Sequence, residues 1–399
     1  MLQRIVLIND KYGGFGGTEE YINSLARLLD PLGYETSIIY GKKYPKNFSN
    51  PLIREFRLPF LKERYAKAKP YELAKLCGYI NKIRPDIVYI HNIFDYRIIT
   101  AIRKAHLGKI IWYCHDHFFY CLTELKVFND RQYELPLGKH CITNIQAGRC
   151  IERYPLRDLN LNEIFLERKK LLESSSLFDE IVVISKYMES NLIKNEVPKE
   201  KINLVPRQVY IPEKIERKEE GKNILYVGRV VKEKGVDHLI KALEFIYCNV
   251  KLTIVGSGDA GYIEKCRFLA KALKGKKKGL EIIFTGQKSH REVFEFYKKA
   301  SVVAIPSLWP EPFGVVAAES LAHEVPVVAY NVGGIDTIIK DGETGLLAEP
   351  RNIKELGEKI GYLCSNKEES RKMGKNGRKF VKLKFDPQKH VDAILRLFS

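Results

Sequence analysis

The sequence predicts an α/β protein with two domains, and three observations lead to that prediction. The chain has 399 residues, which is more than one ordinary hydrophobic core organises. In both halves, short apolar runs rich in β-branched residues alternate with segments of helical periodicity, a pattern typical of parallel sheets covered by helices. Between the halves, residues 203–222 carry two prolines and a run of charges, which indicates an interdomain hinge.

The first half contains the alternation expected of one such domain. The predicted strands are residues 4–8, 35–40, 86–91, 109–114 and 180–185, and the predicted helices are residues 19–29, 71–83, 96–105 and about 161–174, with another helix beginning at Ser185. Residues 11–17 include four glycines and predict a turn after the first strand. Thr18 is a candidate cap for the helix that follows.

The second half repeats the pattern. The predicted strands are residues 223–227, 251–255, 281–285, 301–305 and 326–330. The predicted helices are a segment ending near 245, residues 290–300, a segment beginning at 314, and residues 352–363 and 370–384. The tail, residues 387–398, has one apolar face and predicts a last helix.

Residues 304–319, A-I-P-S-L-W-P-E-P-F-G-V-V-A-A-E, contain the sharpest chemical feature. A strand ends there, prolines form a loop, and a helix begins with unpaired N–H groups suited to an anion such as phosphate. Glu311 and Glu319 are eight residues apart, at most ~12 Å along a helix. Ionised carboxylates only accept hydrogen bonds, so hydroxyls are their natural partners, as in a nucleotide sugar. Two solvated glutamates near a helix are the alternative.

The segment E-P-F-G-V-V-A-A-E resembles the Glu-x7-Glu signature of retaining glycosyltransferases of family 4, and P-S-L-W-P before it and V-G-G-I and D-G-E-T-G-L-L after it resemble the same family in order and spacing. The resemblance implies the GT-B fold, in which two Rossmann-like domains face a central cleft. It implies that Glu311 contacts the transferred sugar and that Glu319 holds the ribose hydroxyls. Phe313, Gly314 and Val315 would offer amides to sugar and phosphate.

Two cations follow the strand 223–227, in G-R-V-V-K-E-K-G. Arg229 and Lys234 could bind a diphosphate and stabilise the charge that grows on it as it leaves. Cations in a surface loop are also commonly just solvated. In the family that the chain resembles, a Gly-Arg strand end followed by Lys-Gly is the phosphate-binding pair.

The resemblance also assigns two glycine-containing turns. Gly286 and Gln287 stand where the family holds the nucleotide base, and Gly16 and Gly17 stand where its N-terminal turn faces the donor diphosphate. From the residues alone, the first turn is equally consistent with a plain tight turn. It does not fit the G-x-G-x-x-G pattern of a nicotinamide site.

Histidines follow two predicted strands of the first half. His91 ends one strand, and His115 and Asp116 follow another, at the carboxyl edge where open α/β sheets bind ligands. A histidine near a core is more often structural. The family carries a His-Asp pair here that reaches the reacting sugar from the acceptor side, which favours His115 and Asp116 over His91.

Four of the eight cysteines, Cys114, Cys121, Cys141 and Cys150, fall in one loop-like segment. Their spacing lacks the paired C-x2-C of a zinc site. A Cys141–Cys150 disulfide is an alternative, although the cytoplasm is usually reducing. Unpaired thiols are the first interpretation.

The formal net charge of +18 favours anionic partners. Nucleic-acid motifs are not evident, and the basic clusters are scattered. We expect a solvated basic surface, with contact to an anionic membrane as the alternative. No run of ~18 uncharged apolar residues and no signal-peptide pattern is seen, so we expect a cytoplasmic protein, with membrane association on the cytoplasmic face as an option.

Together these observations predict an N-terminal acceptor-side domain, residues 1–205 with the tail from about 385 to 399, and a donor-binding domain, residues 206–384. The predicted activity is retaining transfer of a hexose from a nucleoside diphosphate sugar to a hydroxyl of a glycan or lipid-linked acceptor. No cofactor or metal is expected, since no Asp-x-Asp motif stands out. A GT-B epimerase, a phosphorolytic enzyme and a non-catalytic sugar-nucleotide-binding protein are the alternatives.

Overall fold

The computed structural model describes residues 3–14, 16–156, 158–218 and 222–398. The chain divides into two compact units. Unit 1 comprises Met1–Lys126, Glu134–Pro206 and Pro387–Ser399, and unit 2 comprises Val127–Tyr133 and Arg207–Asp386.

The strands and helices follow the chain in strict alternation over most of its length. The strands are β1 (Gln3–Gly13), β2 (Tyr34–Tyr44), β3 (Ile53–Arg57), β4 (Ile87–Ile90), β5 (Lys109–Tyr113), β6 (Val127–Phe128), β7 (Arg131–Gln132), β8 (Glu180–Val183), β9 (Ile202–Leu204), β10 (Asn223–Val227), β11 (Val250–Val255), β12 (Leu280–Gly286), β13 (Val302–Ile305), β14 (Val327–Tyr330) and β15 (Gly345–Ala348). The α-helices are α1 (Gly17–Leu29), α2 (Pro70–Ile83), α3 (Tyr96–Ala105), α4 (His140–Gln146), α5 (Leu161–Glu173), α6 (Lys186–Lys194), α7 (Val236–Ala242), α8 (Ala260–Lys276), α9 (His290–Lys299), α10 (Val315–Ala322), α11 (Ile353–Ser365), α12 (Lys367–Lys384) and α13 (Pro387–Phe398).

Unit 1 is built on a seven-stranded parallel sheet in the order β3-β2-β1-β4-β5-β8-β9. Strand β1, third in this order, is fully buried from Ile5 to Ile8, as expected of a strand covered by helices on both faces. The order reverses between β1 and β4. Because β1, β4 and β5 are parallel neighbours, the loops that follow them lie together at the carboxyl edge of this sheet.

Unit 2 contains a six-stranded parallel sheet in the order β12-β11-β10-β13-β14-β15. Here the order reverses between β10 and β13, which are neighbours although two strands lie between them in sequence. Both units thus have the doubly wound, Rossmann-like α/β architecture that the sequence predicts. None of the helices in the described ranges is both long and apolar enough to cross a membrane.

The first predicted turn is wrong in extent. β1 continues to Gly13, because Lys11, Tyr12 and Gly13 pair with the end of β2. Thr18 is not the cap of α1, since Gly16 occupies the N-cap position and no side chain caps this helix. By contrast, Ser185 does begin α6, and its hydroxyl accepts a hydrogen bond from the Met188 amide.

Several short elements are not indicated by the sequence. β3 reads I-R-E-F-R, in which charges interrupt the apolar pattern, and β9, β15 and the antiparallel hairpin β6–β7 are each four residues or shorter. Helix α4 lies in the cysteine-containing segment that was expected to be loop-like. The short strands among them lack the continuous β-branched apolar run by which β13 and β14, each four residues long, are predicted.

Candidate active site

The carboxyl edge of the unit 2 sheet brings Lys234 and Glu311 into contact. Lys234 ends a 3-10 turn that follows β10, and Glu311 lies in the loop after β13. Because these strands are neighbours, the two side chains meet, with Lys234 Nζ 2.6 Å from Glu311 Oε1. The Ser307 hydroxyl donates to the same carboxylate oxygen. Burial would raise the pKa of Glu311, but the Lys234 ammonium and these hydrogen bonds hold it below its ordinary value.

Backbone close packing makes this contact possible. Gly235 is left-handed, with φ of 67°, and a Cβ there would lie 2.0 Å from the Pro306 carbonyl oxygen. Only glycine therefore allows the turn to approach the loop that carries Glu311. The Lys234 ammonium also lies 5.1 Å from the centre of the Trp309 ring, a cation–π distance.

Glu311 is further held by the turn after β14. Its carbonyl accepts a 2.6 Å hydrogen bond from the Gly334 amide, and it forms a parallel bridge with Gly333. The Gly333 amide in turn donates to Gln132 Oε1 over 2.9 Å. Gln132 belongs to the β6–β7 hairpin, which lies in unit 2 although the chain on both sides of it lies in unit 1. Gln132 lies in no recognisable motif, so the sequence gave no indication that it contacts this turn.

Arg229 is not joined to Lys234 and Glu311 in the structure. Its guanidinium lies 3.3 Å from the Glu233 carboxylate, and half of its side chain is exposed. The Tyr226 hydroxyl donates to the Arg229 carbonyl over 2.6 Å, which fixes the backbone of this turn but not the guanidinium. Arg229 therefore remains able to turn toward a ligand at the same edge.

Glu319 lies on α10, which begins after the left-handed Gly314 with φ of 99°. Oε1 of its carboxylate is 2.7 Å from His290 Nε2. Oε2 accepts a 3.2 Å hydrogen bond from the Tyr297 hydroxyl. Phe313 is buried, whereas Val315 at the first turn is partly exposed. The sequence predicted His290 only as the start of a helix and gave no indication of its contact with Glu319.

Gly286 and Gln287 lie at the end of β12. Gly286 has φ of 73°, in the left-handed region. The Ser257 hydroxyl donates to Gln287 Oε1 over 3.2 Å, which joins this end to the turn after β11. Both residues are exposed.

In unit 1, the ends of β4 and β5 bring two predicted histidines together. His91 Nδ1 is 3.0 Å from His115 Nε2. His91 is 1% exposed, and burial lowers its pKa to about 3, so its ring is neutral. Its Nε2 has no hydrogen-bond partner among the described residues. Since an unsatisfied buried N–H is the costlier state, we place the proton on Nδ1, from which it is donated to His115.

Asp116 is held by a partly buried charge network that the sequence did not reveal. Its carboxylate is 2.9 Å from Arg153 Nη1 and accepts from the Phe118 amide over 2.9 Å. Arg153 also contacts Glu124 at 3.2 Å, and Glu124 contacts Arg64. Burial would raise the pKa of Asp116, but Arg153 holds it below its ordinary value. Asp116 is thus ionised and fixed in orientation.

The predicted diphosphate turn of unit 1 lies at the start of α1. Gly16 has φ of 113°, and a Cβ there would lie 2.1 Å from a Glu19 carboxylate oxygen. Glu19 in the first turn places a negative charge at the positive end of this helix. Gly17 is the first residue of the helix, so Gly16 and Gly17 both lie at its N-terminus.

All eight cysteines are free thiols, in agreement with the first interpretation of the sequence and not with a Cys141–Cys150 disulfide. Cys114, Cys121 and Cys141 are buried, and Cys150 is partly buried. Within the ranges that the structure describes, no group of three or more His, Cys, Asp or Glu side chains is placed to hold a metal ion.

Comparison with known families covers nearly the whole chain. Residues 15–210 match the sequence model of Glycosyltransferase Family 4, and residues 210–380 match that of Glycosyl transferases group 1. Glycosyltransferase family models thus match both halves of the chain, each over somewhat less than half of its length. The matches support the resemblance at the level of glycosyltransferases, and the α/β, GT-B fold class that the sequence predicts is confirmed.

Named relatives match parts of this chain. An uncharacterised glycosyltransferase of Methanocaldococcus jannaschii is 36% identical over 226 residues, 55% of this chain and 59% of the relative. The capsular polysaccharide biosynthesis glycosyltransferase CapM of Staphylococcus aureus is 36% identical over 168 residues, 41% of this chain and 42% of the relative. The matches therefore span about half the length of these relatives.

Solved structures match this chain along its full length. Sucrose-phosphate synthase from Thermosynechococcus elongatus is 21% identical with a TM-score of 0.72, covering 99% of this chain and 98% of that one. Anabaena HepE in complex with UDP and glucose is 15% identical with a TM-score of 0.69, covering 100% and 99%. At these identities the likeness establishes the fold alone.

Proposed function

We propose that this glycosyltransferase moves a hexose from a nucleoside diphosphate sugar to a hydroxyl of a glycan or lipid-linked acceptor, with retention at the anomeric carbon. The observation that supports this most directly is the contact of Lys234 with Glu311 at the carboxyl edge of the unit 2 sheet, 2.6 Å apart. A cation for phosphate and an acceptor for sugar hydroxyls then lie side by side, which suits the junction of sugar and diphosphate.

In this proposal the donor lies along the edge of unit 2. An ammonium carries three N–H donors, so Lys234 can hold Glu311 and still donate to a phosphate oxygen. Arg229, half exposed and on the same turn, adds a second cation. The N-terminus of α10 adds amides from Phe313 to Val315. Glu319 accepts from the ribose hydroxyls, and backbone groups at 286–287 hold the base.

The reaction breaks the bond between the anomeric carbon and the diphosphate oxygen, and forms a bond from that carbon to the acceptor oxygen. The acceptor proton passes to the leaving phosphate on the same face of the sugar, which gives retention. Lys234 and Arg229 stabilise the negative charge that grows on the leaving group. No cofactor enters this scheme, and no protein nucleophile is assigned.

Unit 1 carries the residues proposed for the acceptor. His115, with its tautomer set by His91, donates to a sugar hydroxyl. Asp116, kept ionised by Arg153, accepts from a hydroxyl. The formal charge of +18 favours an anionic or membrane-borne acceptor. The S. aureus relative named for capsular polysaccharide biosynthesis and the Anabaena structure containing UDP and glucose support a glycan acceptor and a nucleotide-sugar donor.

A thermal-shift panel of UDP, GDP, ADP and their sugars tests the donor site. We expect one nucleotide family to raise the melting temperature, because a ligand at 100 times its Kd stabilises by about 2.7 kcal/mol. Glu319→Ala should lose most of the shift, and Glu343→Ala, an exposed glutamate of the same unit, should keep it. A flat response of the unaltered chain to every nucleotide contradicts the proposal.

A product assay then separates transfer from the other reactions. With the donor that binds, release of nucleoside diphosphate should depend on an added glycan or lipid-linked hydroxyl, and proton NMR should show the anomeric configuration of the donor in the product. Conversion of the donor without an acceptor would indicate an epimerase, and dependence on inorganic phosphate a phosphorolytic enzyme. Binding without turnover would indicate a binding protein.

A further inference from the structure

His290 orients the carboxylate that the proposed function assigns to the ribose. The imidazole lies on the first residue of α9, and its Nε2 is 2.7 Å from Glu319 Oε1. Because an ionised carboxylate only accepts hydrogen bonds, Nε2 of His290 must carry the proton of this contact. The tautomer is thus determined by the partner.

Tyr297 holds the other oxygen of the same carboxylate. Its hydroxyl, on a fully buried side chain, donates to Glu319 Oε2 over 3.2 Å. The two donors lie about two turns apart on α9, and they engage different oxygens. A carboxylate held on both oxygens cannot rotate freely about its last side-chain bond, a torsion that is otherwise broad.

The surroundings of Glu319 make this arrangement rigid. The His323 ring stacks on Tyr297 with 5.0 Å between ring centres, and its Nδ1 lies 2.7 Å from the Glu319 carbonyl oxygen. Phe294 lies between the two histidines, 4.6 Å from His290 and 4.8 Å from His323. His290 is the exposed member of the cluster, with 44% of its side chain accessible against 12% for Glu319. It therefore lies where the cluster meets solvent, and thus where a ligand of Glu319 would bind.

Each carboxylate oxygen has two lone-pair positions. His290 and Tyr297 each occupy one position on a different oxygen, which leaves one on each for a ligand. Two neighbouring hydroxyls of one sugar ring can donate to the two oxygens of one carboxylate, so the vicinal 2′,3′-diol of ribose matches the remaining positions. The ionised phosphate groups carry no donor hydrogens and cannot occupy these positions.

We propose that His290 is a positioning residue that gives the donor site its selectivity for ribose over deoxygenated sugars in the nucleotide. This rests on the proposed function, in which Glu319 binds the ribose. Without His290 the Glu319 carboxylate gains rotational freedom, and the diol loses its fixed partner. The base and diphosphate contacts, made by other residues, are unaffected.

The test compares each of UDP, GDP and ADP with its 2′,3′-dideoxy analogue, by calorimetric titration of the full chain. The measured quantity is the ratio of the two Kd values for the nucleotide that binds. We expect the unaltered chain to prefer the ribonucleotide by at least ~10-fold, and His290→Ala to lower that preference by about 3- to 10-fold. Because both ligands are measured on one variant, a folding defect affects both and leaves the ratio unchanged.

Two variants serve as controls. His290→Gln, which keeps an N–H donor, should hold the preference within about 2-fold of the unaltered chain. Arg291→Ala removes the exposed neighbour on the same turn and should leave the preference unchanged. Rescue by glutamine is not expected if His290 acts only by filling space.

The possible outcomes distinguish a failure of the His290 proposal from a failure of the proposed donor site. If His290→Ala weakens both analogues equally, or changes neither, His290 does not position Glu319 and the inference is overturned. If Glu319→Ala keeps the ribose preference, Glu319 is not the ribose ligand. The role assigned to Glu319 in the proposed function is then wrong, whatever the His290 variants show. If the unaltered chain binds none of the three nucleotides, the donor site fails and the inference with it.

Discussion

The buried ion pair between Lys234 and Glu311 allows one prediction to be worked out in numbers. Lys234→Met removes the ammonium but keeps most of the aliphatic chain beside Trp309. Glu311 then stays buried, with 9% of its side chain exposed, beside a neutral neighbour. A buried carboxylate without its cation is strongly unfavourable, so the carboxyl will take up a proton instead.

The cost of that proton sets the size of the effect. With an ordinary glutamate value of 4.5, protonating the carboxyl at pH 7 costs about 1.36 kcal/mol for each of 2.5 pH units, or about 3.4 kcal/mol. At pH 5 the same calculation gives about 0.7 kcal/mol. In the unaltered chain the pKa of Glu311 is below 4.5, so its stabilising effect persists from pH 7 to pH 5 and is lost only at lower pH. In the variant the pKa lies above 4.5, so the variant recovers stability as the pH falls from 7 to 5.

Urea unfolding at pH 7 and pH 5 measures this directly. The chain has two tryptophans, and in a Trp112→Phe background the emission of Trp309 reports on unit 2. We expect Lys234→Met to lower the free energy of unfolding by up to about 3 kcal/mol at pH 7 and by less than about 1 kcal/mol at pH 5.

Two further variants test whether the lost stability comes from the unpaired Glu311 carboxylate. Lys234→Met combined with Glu311→Gln has no buried charge and should return to within about 1 kcal/mol of the background. Lys232→Met, an exposed lysine of the same turn, should change stability by less than about 0.5 kcal/mol. An equal loss at both pH values, or a double variant as unstable as the single one, would refute the reasoning.

Two other predictions follow from local geometry. Nitrogen-15 NMR of the unaltered chain at neutral pH should show the neutral His115 ring protonated on Nδ1, because His91 donates to its Nε2. In His91→Ala the Nε2–H tautomer of His115 should become populated. An unchanged His115 spectrum in that variant would contradict the assigned tautomer. Gly314→Ala should destabilise unit 2 by at least ~1 kcal/mol in the same urea assay, since φ is 99° and the new Cβ would lie 2.6 Å from an isoleucine side chain. Gly342→Ala, with φ of 76° but nothing within 4 Å, should cost less.

The elements that the sequence predicts best are those whose signal is local. Residues 96–105, 223–227 and 387–398 are predicted at the bounds observed, since periodicity, β-branched content and flanking polar residues all lie within the segment itself. β1 is predicted too short, because its last residues are polar and glycine-containing and become a strand only by pairing with β2. Pairing of distant strands is a property of the whole sheet, which no local window contains.

The same distinction applies to the candidate site. Glu311, Lys234 and Glu319 can be singled out in the sequence because their motifs resemble those of a glycosyltransferase family in order and spacing. Their partners are not visible. His290 meets Glu319 because α9 and α10 flank β13, and because one rotamer of each side chain brings Nε2 within 2.7 Å of Oε1.

Arg153 illustrates the limit most clearly. It follows a segment with no predicted structure, yet it lies 2.9 Å from Asp116 and 3.2 Å from Glu124, and so fixes the charge of a residue predicted to act on the substrate. An arginine in a loop is usually solvated, and nothing in its neighbours in sequence argues otherwise. What makes it important is burial beside two carboxylates that lie 37 and 29 residues away in the chain. A pattern can therefore indicate candidate ligand-binding residues, whereas the residues that set the charge and orientation of those candidates emerge only from the folded chain.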